Sequence, residues 1–207
     1  MFPRIAYRLV TDRLELRCWK PTDAAELLDA VTRSKPALEV FLPWARMEPT
    51  TLDQKVELLR SMRGRFDLGQ DFAYGVFLRE GGELVGGNGL MPRIGPAGLE
   101  IGYWTVTTHA GKGYCTEGSA ALAHHALVAL GVDRVEIHCE PQNGPSNAIP
   151  KKLGFEKEGT LRRRYPFGDN DLRDTVIWTL FRSALPRAEK VNWARYEAYD
   201  CADRRIV

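Results

Sequence analysis

Residues 107–131, TTHAGKGYCTEGSAALAHHALVALG, decide the fold. Gly111, Gly113 and Cys115 alternate with Lys112 and Tyr114, and a run of Ala and Leu follows at once. Ala120, Ala123, Leu127 and Leu130 keep helical spacing, and Gly131 ends the run. The N-terminus of a helix carries unpaired N–H groups and a partial positive charge, so it attracts anions. Glycine just ahead of it clears the approach and permits unusual backbone angles. Residues 110–117 therefore read as a phosphate cradle with Lys112 as added charge, against the plainer alternative of ordinary turn chemistry.

The flanking segments narrow that choice. Before the cradle, LEIGYWTV (99–106) alternates, with Leu99, Ile101 and Tyr103 on one face and Glu100, Gly102 and Trp104 on the other. After the helix, RVEIHCEP (134–141) sets Val135, Ile137 and Cys139 on one face, so His138 is expected on the other. The nucleotide P-loop pattern GxxxxGK[ST] is absent. So is GxGxxG, because Gly111-Lys112-Gly113 is followed by Thr116 where the third glycine belongs.

Further out, RLELRCW (13–19) is a half-buried strand. Asp23 with Glu26, and Thr51 with Gln54, have capping-box spacing and predict two helix starts. FAYGVFLR (72–79) and ELVGGNGLMPR (83–93) form a hairpin around EGG. SNAIPKKLGF (146–155) reads as a short helix and turn, and residues 163–181 as a final hairpin. The order mixes hairpins with one strand–loop–helix–strand unit, which predicts a layered fold with a mixed sheet. From residue 186 the tail places Val191, Ala194, Ala198 and Cys201 at helical spacing beside Trp193, Tyr196 and Tyr199. It is expected as a helical C-terminal extension, 186–207, of a single domain, 1–185. It packs either on that domain or on a partner subunit in a homodimer.

Composition bounds the function. A chain of 207 residues, 44% hydrophobic, with net charge +2, suits one domain. It does not suit a nucleic-acid binder, and Arg162, Arg163 and Arg164 read as a solvated strand end. Four scattered cysteines without CxxC spacing predict neither a metal site nor disulfides. The N-terminus lacks an apolar core, and the most apolar stretch is interrupted by His124 and His125 and too short to span a bilayer. A cytoplasmic protein that does not bind membranes is expected.

Five segments in order, TDRLELR, FLPWA, LEIGYWT, GKGYCTEG and PQNGPSNAIPKKLGFEKEGTLR, resemble the GNAT superfamily of N-acyltransferases. The similarity is to its RimJ/RimL branch, which acetylates N-terminal α-amines of ribosomal proteins. It covers residues 8–182. The coenzyme A loop of that family, Arg/Gln-x-x-Gly-x-Gly/Ala, falls on 110–115, with Ala110 at the first position and Cys115 at the last. The resemblance implies an α/β (α+β) GNAT acyl-CoA N-acyltransferase fold. Its sheet is mixed, mostly antiparallel, seven-stranded and splayed, with helices on both faces.

It further implies acetyl-CoA as co-substrate, no metal, and direct transfer to an amine in a ternary complex. The acceptor is a protein N-terminus, a peptide or an amino-acid-like small molecule. The pantetheine arm is expected between strands 99–106 and 134–140. Trp104, Val106, Gly111, Lys112, Gly113, Tyr114, Cys115, Thr116, Asn143 and Asn147 are the expected cofactor residues. Glu100 is the candidate base, acting through water, or else a surface carboxylate. Ser146 is the candidate donor to the leaving thiol, a helix N-cap, or both. Trp44 and Tyr165 are expected at the acceptor, whereas Phe41 and Leu42 are expected in the core. Cys139 is expected as a buried strand residue and His109 as a solvated one that touches phosphate at most. The rival reading is a coenzyme A-binding sensor or partner-binding module without catalysis; another is a binder of a different nucleotide.

An α-amine has a pKa near ~8 and a lysine near ~10.4, so at pH 7 about a tenth of the former is neutral, against under about a thousandth of the latter. That difference is worth about 3.4 kcal/mol, so a site with a weak base favours α-amines.

Overall fold

The computed structural model describes residues 4–169, 171–188, 193 and 195–207. Strands β1 (Arg8–Val10) and β2 (Leu14–Cys18) are followed by helices α1 (Ala24–Leu38) and α2 (Leu52–Asp67). Then come β3 (Phe72–Leu78), β4 (Leu84–Met91), β5 (Gly98–Thr105), α3 (Tyr114–His124) and β6 (Arg134–Cys139). The chain continues with α4 (Gly144–Lys152), β7 (Glu156–Gly168), β8 (Asp171–Phe181) and β9 (Glu197–Tyr199).

One sheet holds nine strands in the order β7-β8-β6-β5-β4-β3-β2-β1-β9. All neighbours are antiparallel except β5 and β6. Seven strands were expected; β1 and β9 are the additional two. They pair with each other, Leu9 opposite Ala198, at the sheet edge beside β2. Each has three residues, too few for alternation to register.

The expected helical tail is also corrected. Glu197–Tyr199 is a strand, Ala198 is fully buried, and Tyr7 N–H donates to Tyr199 O at 2.8 Å. Residues 182–188 form a 3-10 segment, and Val191 and Ala194 lie outside the described residues. The tail packs on its own domain, where Tyr196 and Trp193 meet His124.

Alternation in β2 buries Leu14, Leu16 and Cys18. These join Tyr74, Leu90, Leu99, Ile101, the α3 residues Ala120, Leu122 and Ala123, and Ala126 and Leu127 just after α3 in one core. A second cluster beneath α1 holds Trp19, Leu27, Val31, Leu59, Phe77, Leu84 and Val106. Helices thus cover both faces. The Thr51–Gln54 capping box forms as expected, with bonds of 3.2 and 2.8 Å. The Asp23–Glu26 pair does not. Asp23 instead accepts both guanidinium nitrogens of Arg17, and Glu26 accepts Leu84 N–H.

The feature that positions the site is the parallel seam. β5 pairs with β6 only at Gly98–Arg134, Leu99–Val135 and Glu100–Glu136. Beyond that, β5 stays with β4 up to Thr105, while β6 stays with β8 up to Cys139. The two strands diverge and leave a V between them, its open end beside the loop that leads to α3.

Candidate active site

From β5 a short 3-10 turn, Thr107–His109, enters the cradle. Gly111 and Gly113 have φ of +78° and +82°, angles at which a side chain is strained. A Cβ added at Gly111 would meet nothing within 4 Å, so the approach is open. Gly113 is the N-cap of α3 and has no side chain with which to close the helix end. The helix starts at Tyr114, and its first backbone bond runs from Glu117 N–H to Gly113 O at 3.0 Å. The amides of Tyr114, Cys115 and Thr116 lie ahead of that bond. With exposed Lys112 beside them, these groups fit a diphosphate.

Arg13, not singled out in the sequence beyond its place in TDRLELR, holds this loop. Its Nη1 donates to Lys112 O at 3.1 Å, and its Nε and Nη2 each lie 2.6 Å from Glu117 Oε2. Its guanidinium also sits 4.7 Å from the centre of the Tyr114 ring. Thr11 and the Arg13 backbone complete the shell of Glu117.

Across the V, β5 and α4 meet through three side chains. Tyr103 donates its hydroxyl to Ser146 O at 2.9 Å, and Ser146 Oγ donates to Tyr103 Oη at 3.1 Å. Cys139 Sγ lies 3.0 Å from Ser146 Oγ. Burial raises the pKa of the Tyr103 hydroxyl and of the Cys139 thiol, the latter partly offset by bonds with Ser146 and Tyr103. Both are therefore protonated at neutral pH. Ser146 is not the helix cap: Asn143 Oδ1 accepts Ser146 N–H at 3.1 Å and caps α4. The Ser146 hydroxyl thus has no capping duty and is aligned by Tyr103, which alternation alone places only on one face of its strand with Leu99 and Ile101.

On the opposite face of β5, Glu100 is buried at 5% exposure. Arg93 grips both its oxygens at 2.8 and 2.5 Å, and His138 Nδ1 lies 3.5 Å away. His138 Nε2 is 2.7 Å from Glu136 Oε2, and Arg134 Nε donates to Glu136 Oε1 at 2.8 Å. As expected, His138 faces away from Cys139. Glu100 is neither a free base nor a surface carboxylate; it is one member of a five-residue chain of ionisable side chains, Arg93, Glu100, His138, Glu136 and Arg134, along the closed end of the V.

Residues 13–156 match the acetyltransferase (GNAT) domain family. The chain belongs to that family. Among curated relatives, the ribosomal-protein-serine acetyltransferase of Escherichia coli (strain K12) is 27% identical over 157 residues, spanning 74% of this chain and 85% of that one. Among solved structures, Mycobacterium smegmatis RimJ in complex with CoA-disulfide superposes with a TM-score of 0.79 at 24% identity, over 94% of this chain and 99% of that one. A RimL ribosomal L7/L12 α-N-protein acetyltransferase, solved with coenzyme A in disulfide linkage to its own cysteine, gives 0.75 at 23% identity, over 83% and 96%. The resemblance to the RimJ/RimL type is thereby supported, and the chain is an N-acetyltransferase.

In this GNAT acetyltransferase the expected site residues separate into those brought together and those diverted. Gly111 to Thr116 form the cradle. Cys115 is half-buried, and its thiol is pushed up to about 12 by burial. Trp104 meets Trp44 edge-on, with ring centres 6.0 Å apart. It lies against Gly87, where an added Cβ would come within 2.4 Å of its indole nitrogen. Tyr165 stands on β7, 38% exposed. Val106 is core, with its N–H bonded to Val85 O, so its side chain does not reach the V. Asn147 is consumed structurally: Nδ2 donates to Glu140 O and Asn143 O, and Oδ1 accepts from Trp178. His109 is not solvated but buried, its Nε2 2.9 Å from Glu83. Phe41, expected in the core, is half-buried and lines an open groove of about 610 Å³ with Val40, Glu140, Asp171, Arg173 and Asp174. Among the described residues no cluster of His, Cys, Asp or Glu has metal-binding geometry, and no helix is long and apolar enough to cross a membrane.

Proposed function

We propose that the protein transfers an acetyl group from acetyl-CoA to an α-amine, that of a polypeptide N-terminus or an amino-acid-like molecule, directly in a ternary complex. The observation that carries this reading is the V between β5 and β6, with the glycine cradle at its mouth and the Tyr103–Ser146 pair across it. Bound acetyl-CoA supplies an activated acyl group on a thioester. The cradle amides, Gly111, Gly113 and Lys112 hold its diphosphate. Backbone groups of β5 beyond Glu100, free of β6, hold the arm as an added strand.

Ser146 Oγ donates a hydrogen bond to the leaving sulfur, whose proton derives from the attacking amine, and Tyr103 aligns that hydroxyl. Coenzyme A is a thiol, with a pKa near the ~8.5 of cysteine, so this donor accelerates a departure already feasible. The amine loses its proton through water to the side-chain cluster of Glu100, His138 and Glu136. Arg93 already occupies both oxygens of Glu100, which limits what it can accept and favours amines that are already partly neutral. That selects α-amines over lysines by the pKa difference derived above. The name of the Escherichia coli relative, a ribosomal-protein-serine acetyltransferase, agrees with such an acceptor.

The test is an acceptor screen with thiol release as readout, using peptides with free α-amines, the same peptides blocked at the α-amine but carrying lysine, and free amino acids. Release with the first or the last group alone supports the reading. Release only with the lysine peptides rejects it.

A further inference from the structure

The hairpin of β7 and β8 carries an irregularity that the transfer chemistry does not use. Leu161 pairs with Thr175 and Tyr165 with Arg173, so residues 162–164 together face the single residue Asp174. Such a bulge bends the strand and re-aims its side chains. Arg163 takes φ +54°, rare for a residue with a Cβ, and its N–H donates to Asp174 Oδ1 at 3.0 Å. The bulge sets three consecutive arginines, Arg162, Arg163 and Arg164, in solvent. Among the described residues none of the three is ion-paired. Arginines elsewhere, among them Arg13, Arg17, Arg93, Arg134 and Arg173, are held by carboxylates.

This cluster stands beside the open groove that Phe41 and Arg173 line. Asp174, across from the bulge, lines that groove. Arg173 next to it donates to Val40 O and Glu140 Oε2, both at 2.8 Å, and Arg46 donates to Phe167 O at 3.1 Å. The hairpin is thus tied to the segment 40–47. Those two segments also carry Val40, Trp44, Met47, Leu161, Tyr165 and Leu172, all exposed apolar side chains. Apolar groups beside unpaired guanidiniums suit a polypeptide with carboxylates better than a phosphodiester backbone, which offers a continuous charge and few apolar groups.

We propose that the polypeptide acceptor carries acidic residues downstream of its amine, and that Arg162, Arg163 and Arg164 engage them while its first residues occupy the groove. This deepens the α-amine reading and rests on it for the acceptor's end, but the docking itself is measurable without turnover.

The experiment uses three short fluorescent peptides with the same free N-terminal Ser-Ala, continuing with Glu, Gln or Lys residues. Binding is followed by anisotropy at about 0.05 M and about 0.5 M salt, between which exposed charge interactions are strongly screened. The acidic peptide is expected to bind about tenfold more tightly than the Gln peptide at low salt, an advantage of about 1.4 kcal/mol. That advantage should vanish at high salt and in the variant R162Q/R163G/R164Q. Glycine accepts the left-handed angle of position 163, and thermal stabilisation of the variant by coenzyme A reports that the fold is intact. If the triple variant loses that stabilisation, Arg163→Gly alone replaces it, with about a threefold loss expected. Equal affinity for all three peptides overturns the proposal, as does a preference retained in the variants. Displacement of the acidic peptide by a lower concentration of single-stranded oligonucleotide also overturns it. Arginine-dependent binding without acetyl transfer upholds the docking surface and rejects the α-amine reading for that peptide.

Discussion

The hydroxyls of Tyr103 and Ser146 lie 3.1 Å apart and tie β5 to α4, the helix that follows β6. With Tyr103 also donating to the Ser146 carbonyl, the serine proton has a defined position. Ser146→Ala is expected to lower kcat by about tenfold to a hundredfold, the scale of a single positioned donor, with KM for acetyl-CoA within about twofold. Tyr103→Phe should show a milder loss in the same direction. Steady-state kinetics with acetyl-CoA varied separate the two parameters. An unchanged kcat in Ser146→Ala would leave the serine a structural element of α4.

Arg13 clamps the cradle from outside. Its partner Glu117 has a side chain only 12% exposed, while Arg13 itself is 49% exposed. Solvent discounts the pair, so Arg13→Ala should destabilise the fold by about 1–2 kcal/mol. Because the lost bond includes one to the Lys112 carbonyl, KM for acetyl-CoA should also rise, by about tenfold, while kcat changes little. Thermal melts and coenzyme A titration measure the two effects. Loss of stability with unchanged cofactor affinity would show that the clamp does not shape the cradle.

Thiol reactivity should follow burial. Cys201 is exposed, whereas the Cys18 and Cys115 thiols are pushed up to about 12 and that of Cys139 is raised. Since thiolate is the nucleophile, one thiol should react rapidly with a disulfide reagent near pH 7.5, and three more only after unfolding. Cys139→Ala should retain acetyl transfer, as direct attack requires. Loss of transfer in that variant with the fold intact would point to an acyl-cysteine.

His125 provides a dependence on pH. It is fully buried, its Nε2–H donates to the Arg4 carbonyl, and burial lowers its pKa to about 4. The folded value lies below the unfolded one, near ~6.5, so folding selects the neutral form. The associated stability is complete above about pH 6.5 and falls as the pH approaches about 4, by about 3 kcal/mol at most. His125→Gln should flatten the melting temperature across that window. A slope equal to that of the original protein would assign the acid sensitivity to other groups.

What was legible in the sequence was whatever local rules govern. Glycines 111 and 113 before an Ala-rich run predicted an open approach to a helix start, and alternation put Glu100 on the face opposite Tyr103 and His138 on the face opposite Cys139. Register was not legible. Arg93 reaches Glu100 because β4 returns beside β5 with Met91 opposite Glu100. Nothing local announces that pairing, so the carboxylate looked free. Equal spacings also had unequal fates. Thr51 and Gln54 bonded each other's backbone, whereas Asp23 and Glu26 were claimed by Arg17 and Leu84 from elsewhere in the fold. Ala198 kept helical spacing with its neighbours yet became the buried centre of a strand, because β1 offered an open edge.

That last strand changes how the molecule is held together. β7, β8 and β6 lie on one side of the seam and β5 to β1 on the other, yet β9, which follows β8 in the chain, sits at the far margin. The polypeptide therefore crosses the seam twice, once between Thr105 and Arg134 and again between Phe181 and Glu197. The tail acts as a second tether. A protease cut between Phe181 and Glu197 would leave the β5–α3–β6 connection as the one covalent link across the seam, with the β5–β6 pairs and side-chain ties such as Tyr103–Ser146 and Arg173–Val40 holding the rest.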